Sequence, residues 1–152
     1  MEFIIFLSKI DKGIIELINK TNHSIEENTA LCLIDKKYVG FFKRGEKSLI
    51  ICTKNAKILG NYKKNSIDEN HKTKLYIRRA LRHEATHAIQ KCNNNKVIGD
   101  IKKLESKLNQ NKRKALEFST SNFSWCYAKE VEAYVLEDKR KKVKDFIKKY
   151  CL

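Results

Sequence analysis

The residues with the clearest chemical meaning are Leu81-Arg82-His83-Glu84-Ala85-Thr86-His87-Ala88, which contain the pattern His-Glu-x-x-His. On a helix, side chains four residues apart lie on one face, about one turn from each other, so both imidazoles can reach a single metal ion. Glu84 then lies beside the metal's open position and can act as general base toward a water there. Zinc is the metal this donor set suits, and a zinc site that does chemistry takes three protein ligands and leaves one position for water. The chain has only four His, and this motif uses two of them. The bland reading of His83 and His87 is a satisfied surface pair.

A third ligand must come from elsewhere. His23 and His71 are the remaining imidazoles. The longer motif HExxHxxGxxH is not met, because Gln90 stands where its Gly belongs and no His follows. The next candidates are the carboxylates of Lys129-Glu130-Val131-Glu132-Ala133-Tyr134. Ala128, Val131 and Val135 form an apolar stripe with Glu132 beside it, while Glu130 faces away together with Tyr127 and Tyr134. An inward stripe that holds a carboxylate favours Glu132. A ligand face distinct from the packing face favours Glu130. The His-Glu-x-x-His helix has that second arrangement, with Leu81, Ala85, Ala88 and Cys92 in one stripe and the two His nearly opposite. Either Glu could instead be an ordinary solvated helix residue.

The elements that must position these groups follow from periodicity and breakers. Residues 3–19 carry apolar side chains mostly at helical spacing, weakened by Gly13. Residues 21–28 form a polar connector. Ala30–Ile34, Tyr38–Phe42 and Ser48–Cys52 are short runs of β type, separated by hairpin-like connections at 35–37 and 43–47. Residues 54–71 predict a loop with one short element. A strong helix runs from Thr73 to about Cys92 and stops at Asn93-Asn94-Asn95. Further helices are expected over 98–118 and from about Trp125 to Tyr150, the latter with Ser124 as N-cap. No repeat is visible. The expected architecture is a single α+β domain over residues 1–152, a small antiparallel β-meander packed against the His-Glu-x-x-His helix and further helices.

Composition sets the boundaries. A chain of 152 residues suits one domain with a real core. No apolar run reaches the ~18 residues of a membrane span. The formal charge of +15 invites a nucleic-acid reading. That signal is weak, because 27 of the cations are Lys and six are Arg, and Lys, Ile and Asn are the residues that A/T-rich codons write. The start, Met1-Glu2-Phe3-Ile4-Ile5-Phe6-Leu7, lacks the pattern of a secretory signal. Five cysteines are too few and too odd for a disulfide scaffold, so reduced thiols in a cytoplasm are expected, with Cys92 and Cys126 as small buried apolar residues that could pair under oxidation. Lys139-Arg140-Lys141-Lys142 predicts a solvated helix face.

Ile51-Cys52-Thr53-Lys54-Asn55 on a strand, the His-Glu-x-x-His helix through Cys92, and Glu130-Val131-Glu132-Ala133 together resemble a minimal zincin of the gluzincin plan. The arrangement is similar to the mitochondrial inner-membrane processing metallopeptidases, and its Glu-x-x-Ala is shared with regulatory metallopeptidases that cleave repressors in bacteria and their mobile elements. Gln90 and Tyr134 depart from those families' usual residues. The resemblance implies His83 and His87 as zinc ligands, Glu84 as general base and Glu130 as third ligand.

The expected function is zinc-dependent hydrolysis of peptide bonds in a peptide or protein substrate. Tyr127 and Tyr134, near the proposed third ligand in sequence, are candidate donors to the developing oxyanion, although aromatic packing is the commoner role for either, and the strand Ser48–Cys52 would take an extended substrate along its edge. The alternative is a basic nucleic-acid- or protein-binding module whose metal site is degenerate or structural.

Overall fold

The computed structural model describes residues 1–66, 70–121 and 126–152. It is a mixed α+β fold in which a small three-stranded sheet packs on a long helix. The chain opens with a 3-10 turn, Glu2–Phe6, that buries Phe3 and Phe6. Helix α1 then spans Lys9–Lys20 and buries Ile14, Leu17 and Ile18. A single helix over 3–19 is not formed, because the Ser8 hydroxyl accepts the Asp11 amide proton and starts α1 afresh.

Strand β1 is Ser24–Glu27, within the polar connector, and the first apolar run is not a strand: Ala30–Leu33 is a 3-10 turn. Leu33 and Ile34 stay 86 % and 67 % exposed, so the apolarity of that run does not report a buried element. Asn28 at φ 53° turns the chain out of β1. Strands β2 (Gly40–Lys43) and β3 (Ser48–Ile51) form the expected antiparallel hairpin, with Gly40 opposite Ile51. β1 instead pairs parallel with β3, Ser24 opposite Ser48, giving the order β1-β3-β2 in place of an antiparallel meander.

Helix α2, Thr53–Leu59, is the short element in the following loop. Its end passes so close to the next helix that a Cβ on Gly60 would stand 2.6 Å from the Thr73 backbone nitrogen. Helix α3, His71–Cys92, is the spine of the fold and buries Ile77, Leu81, Ala85, Ala88 and Ile89 against the sheet, α1 and the C-terminal helices. Asn94 and Asn95 at φ 57° and 62° carry the chain away from it.

The two later helices of the sequence reading are each split. Over 98–118 there are α4 (Ile101–Glu105), capped by Asp100, and α5 (Gln110–Thr120), which begins where the Asn109 side chain accepts from Lys112 N at 2.8 Å. The last stretch divides into α6 (Tyr127–Leu136) and α7 (Arg140–Cys151). Arg82 Nη1 donates to the Glu137 carbonyl at 3.0 Å at this corner, taking an acceptor that a continuous helix would use itself. The expected Ser124 cap and Trp125 start lie outside the described residues.

Two cross-links replace the expected reduced thiols. Cys32–Cys52 ties the 3-10 turn to the end of β3, and Cys92–Cys151 ties the end of α3 to the end of α7. Cys92 therefore pairs with Cys151 and not with Cys126, which keeps its thiol. Arg82 also grips the buried Asp11 through two bonds, Nε to Oδ1 at 2.8 Å and Nη2 to Oδ2 at 2.9 Å, which locks α1 to α3 beside the motif. Among the described residues no helix is long and apolar enough to cross a membrane.

Candidate metal centre

His83 and His87 project from α3 on the side away from Leu81, Ala85 and Ala88, into a cleft of about 1040 Å³ between β2, α3, α5 and α6. Glu130, in the first turn of α6, lies between them. Its Oε2 is 3.0 Å from His83 Nε2 and its Oε1 is 2.8 Å from His87 Nε2. The three ligand atoms fall within 4.8 Å of one another, close enough to share one ion. The two carboxylates left open by the sequence are thereby separated. Glu130 joins the imidazoles, while Glu132 is buried elsewhere, accepting from Ile98 N, Gly99 N and Gln90 Nε2 at 2.7 to 3.0 Å.

The far side of each ring is also held. His83 Nδ1 lies 3.1 Å from Glu137 Oε2, and a carboxylate can only accept, so Nδ1 carries the proton. His87 Nδ1 lies 2.9 Å from Gln90 Oε1. The Gln90 amide is oriented by its Nε2, which donates to Lys129 O and Glu132 Oε1, so its oxygen must face His87. Each Nε2 in turn donates to Glu130, and with Nδ1 held as a donor on both rings, loss of the Nε2 proton leaves the tautomer whose Nε2 lone pair faces the shared site, as a metal ligand requires. This donor set fits zinc: two Nε2 atoms and one carboxylate with a fourth side facing the cleft.

Charge is concentrated here. Burial pushes the His83 and His87 imidazoles down, but the Glu130 carboxylate outweighs it and holds both above the ordinary value, His83 well above. Burial pushes Glu130 up, and the two imidazoles outweigh it and hold that carboxyl far below the usual range. Glu84 is raised, because burial outweighs the pull of His83 and His87. It lies against β2, where a Cβ on Gly40 would come within 3.0 Å of Glu84 Cγ and Oε1. Burial, with Arg44 and Lys91 repelling its charge, holds the Lys129 ammonium below its ordinary value.

The expected oxyanion donors separate as well. The Tyr134 ring meets His83 edge-on at 4.6 Å and lines the cleft, although its hydroxyl is engaged by Ser119 Oγ at 2.6 Å. Tyr127 is 38 % exposed and is not in the cleft wall. Nor can Ser48–Cys52 offer an edge, since β3 is the middle strand with neighbours on both sides; the edge strands are β1 and β2, and β2 lines the cleft. His23 is buried beside Thr21 and Phe42, away from the cleft wall. Lys139-Arg140-Lys141-Lys142 is solvated as expected.

Sequence reasoning missed Glu137, Gln90 and Gly40. Glu137 stands seven residues after Glu130 and Gln90 three after His87, spacings that put each on its partner's helical face. Gly40 carried no comparable signal.

One family profile matches residues 3–152, nearly the whole chain; its description is a domain of unknown function, DUF8637. The chain belongs to the DUF8637 family. No curated protein and no solved structure matches it. The DUF8637 description names no activity, so the reading of its chemistry rests on the centre described above.

Proposed function

We propose that this protein is a zinc-dependent peptidase. The observation that carries the proposal is Glu130 seated between the Nε2 atoms of His83 and His87, with Glu84 beside them in an open cleft. His83, His87 and Glu130 would hold the ion, Glu137 and Gln90 fixing the two rings from behind. Bound zinc acts as a Lewis acid and brings the pKa of a water toward ~7. Glu84, raised above its ordinary value by burial, is poised to take a proton from a nucleophilic water and return it to the leaving amine. The β2 edge offers backbone groups along which an extended peptide can add as a further strand.

The test is metal content and turnover together. The protein loaded with zinc should bind one equivalent and cleave peptides, and Glu84→Gln should keep the metal while losing about a hundredfold or more of the rate. Retention of zinc by His87→Ala, or undiminished cleavage by Glu84→Gln, would end this reading. A basic binding module predicts instead a salt-dependent nucleic-acid affinity indifferent to Glu84→Gln.

The location also belongs to this proposal. The bonds Cys32–Cys52 and Cys92–Cys151 weigh toward an oxidising compartment and against the cytoplasm expected from the sequence. Alkylation of protein prepared without reductant should then label Cys126 alone, and labelling at Cys92 or Cys151 would restore the cytoplasmic reading.

A further inference from the structure

Glu137 is held from three directions, and one of them comes from outside the helices that carry the ligands. Its carbonyl accepts from Arg82 Nη1 on α3, its Oε2 faces His83 Nδ1, and its Oε1 accepts from Lys112 Nζ on α5 at 2.6 Å. Lys112 Nζ also donates to the Tyr134 carbonyl at 2.7 Å and pairs with Asp138 Oδ2 at 3.0 Å. An ammonium has three protons, and here each has an acceptor. The Lys112 side chain is only 12 % exposed and lies in the cleft wall.

Local structure disfavours a cation at this place. Asn109 caps α5 by accepting from Lys112 N, so Lys112 stands in the first turn, where the helix dipole repels positive charge. Nor is α5 docked by the ammonium alone. Leu116 is buried with Val131 and Val135 of α6, and Ser119 Oγ meets the Tyr134 hydroxyl at 2.6 Å. What the ammonium adds is a fixed orientation for the Glu137 carboxylate. A carboxylate held at one oxygen swings about its Cγ–Cδ bond. Held at both, it keeps Oε2 on His83 Nδ1 and so keeps the His83 ring aimed at the shared site.

We propose that Lys112 is a positioning residue of the metal centre: it fixes Glu137, and through Glu137 the His83 ring, so that docking of α5 completes the ligand set. The inference rests on the metal site of the peptidase reading and not on turnover. The competing role for Lys112 is a tie between α5 and α6 with no bearing on the metal. The two roles differ in how Lys112 and Glu137 combine. In Glu137→Gln the side chain has one oxygen, and both Lys112 and the His83 Nδ1 proton need it. The charged donor takes it and turns the amide NH2 toward His83, against the metal-binding tautomer. Removing Lys112 as well frees that oxygen for His83. A tie gives losses that add, whereas a positioning residue gives partial recovery.

Zinc affinity is read by competition with a chelating dye, and folding of each metal-free variant by thermal melting. Lys112→Met should bind zinc about tenfold more weakly than the wild type, and Lys112→Arg should recover most of that loss. Glu137→Gln should lose about a hundredfold, and the double variant with Lys112→Met should bind about tenfold more tightly than Glu137→Gln alone. Arg113→Met, which removes bonds from the neighbouring residue to the Leu108 and Glu105 carbonyls, should keep the wild-type affinity. Where Lys112→Met does not fold, Lys112→Gln takes its place in both comparisons. Wild-type affinity without the Lys112 ammonium, or losses that add in the double variant, overturns the proposal. Cleavage is scored separately. A wild type that binds zinc and shows the recovery but cleaves no peptide ends the peptidase reading and leaves Lys112 its role. Zinc-dependent cleavage with affinity blind to Lys112 removes that role and keeps the peptidase, and a wild type that binds no zinc overturns both.

Discussion

Helix α3 presents two buried charge clusters from neighbouring residues, and they are built to opposite ends. Arg82 faces inward to Asp11, and every charged atom of that pair is met by the fold: both carboxylate oxygens take guanidinium protons, and the third guanidinium nitrogen bonds the Glu137 carbonyl. His83, one residue on, turns toward the cleft with His87 and Glu130, where the cluster keeps one side toward solvent. A guanidinium cannot shed its charge, whereas an imidazole can. A permanent cation paired permanently makes a staple. Titratable groups around a shared carboxylate make a site that can exchange one positive charge for another.

The sharpest way to break this contrast is to neutralise one anion in each cluster. Asp11→Asn leaves Arg82 charged and buried without a counter-charge, and should cost about 4 kcal/mol of folding stability in a denaturant titration. Glu130→Gln lets the imidazoles release their protons, so the metal-free protein should change by no more than about 1 kcal/mol while losing stable zinc binding. If both variants lose stability equally, the two clusters are the same kind of structure. Acid gives a second view. Burial pushes the Asp11 carboxyl up, but Arg82 and Ser8 outweigh it and hold it below its ordinary 3.8. A depressed folded value stabilises fully above the ordinary one, and that stabilisation is lost as pH falls through the lower folded value. The wild type should therefore lose stability below about pH 4, and Asp11→Asn should lack that part of the slope.

The same contrast separates what could be read from the chain. Helix α3 was legible because its apolar stripe runs over many turns and three Asn end it. The cluster of His83, His87 and Glu130 was legible only to the point where Glu130 and Glu132 stood as equals, since a helical wheel gives the angle between two residues and not which face meets the site. What decides is the 98–99 segment, whose two amides occupy Glu132. No local pattern announces that meeting. Strand β1 was hidden for a different reason: only Ile25 of its four residues is buried, so it has no alternation to detect, while the apolar 30–34 run is a 3-10 turn held by the Cys32–Cys52 bond and by Asn55 Nδ2, which donates to the Cys32 carbonyl. The helix breaks at Asn109 and Glu137 depend on one capping side chain and one distant arginine, each weaker evidence along the chain than the periodicity on either side.

A finer cut compares the two groups behind His87. Gln90→Leu removes the acceptor for Nδ1 and should weaken zinc binding about 10- to 100-fold by competition with a chelating dye. Glu132→Gln keeps an acceptor for Gln90 but loses the charge that gathers the Ile98 and Gly99 amides; it should cost about 1–3 kcal/mol of stability with zinc stoichiometry intact. Loss of zinc in Glu132→Gln and not in Glu130→Gln would reverse the assignment of the two carboxylates.

The smallest expected effect probes the base apart from the metal. A methyl group at residue 40 would press first on Glu84 at 3.0 Å and on Ala80 Cβ at 3.3 Å. Ala80 belongs to α3 and cannot retreat, so the Glu84 side chain must shift by a few tenths of an ångström. Because the ligands of the centre stand on α3 and α6 and none on β2, Gly40→Ala should leave zinc affinity unchanged and lower kcat about fivefold. A parallel loss of zinc would mean that β2 bears on the whole cluster, and the distinction between a fixed staple and an adjustable site would then extend to the sheet.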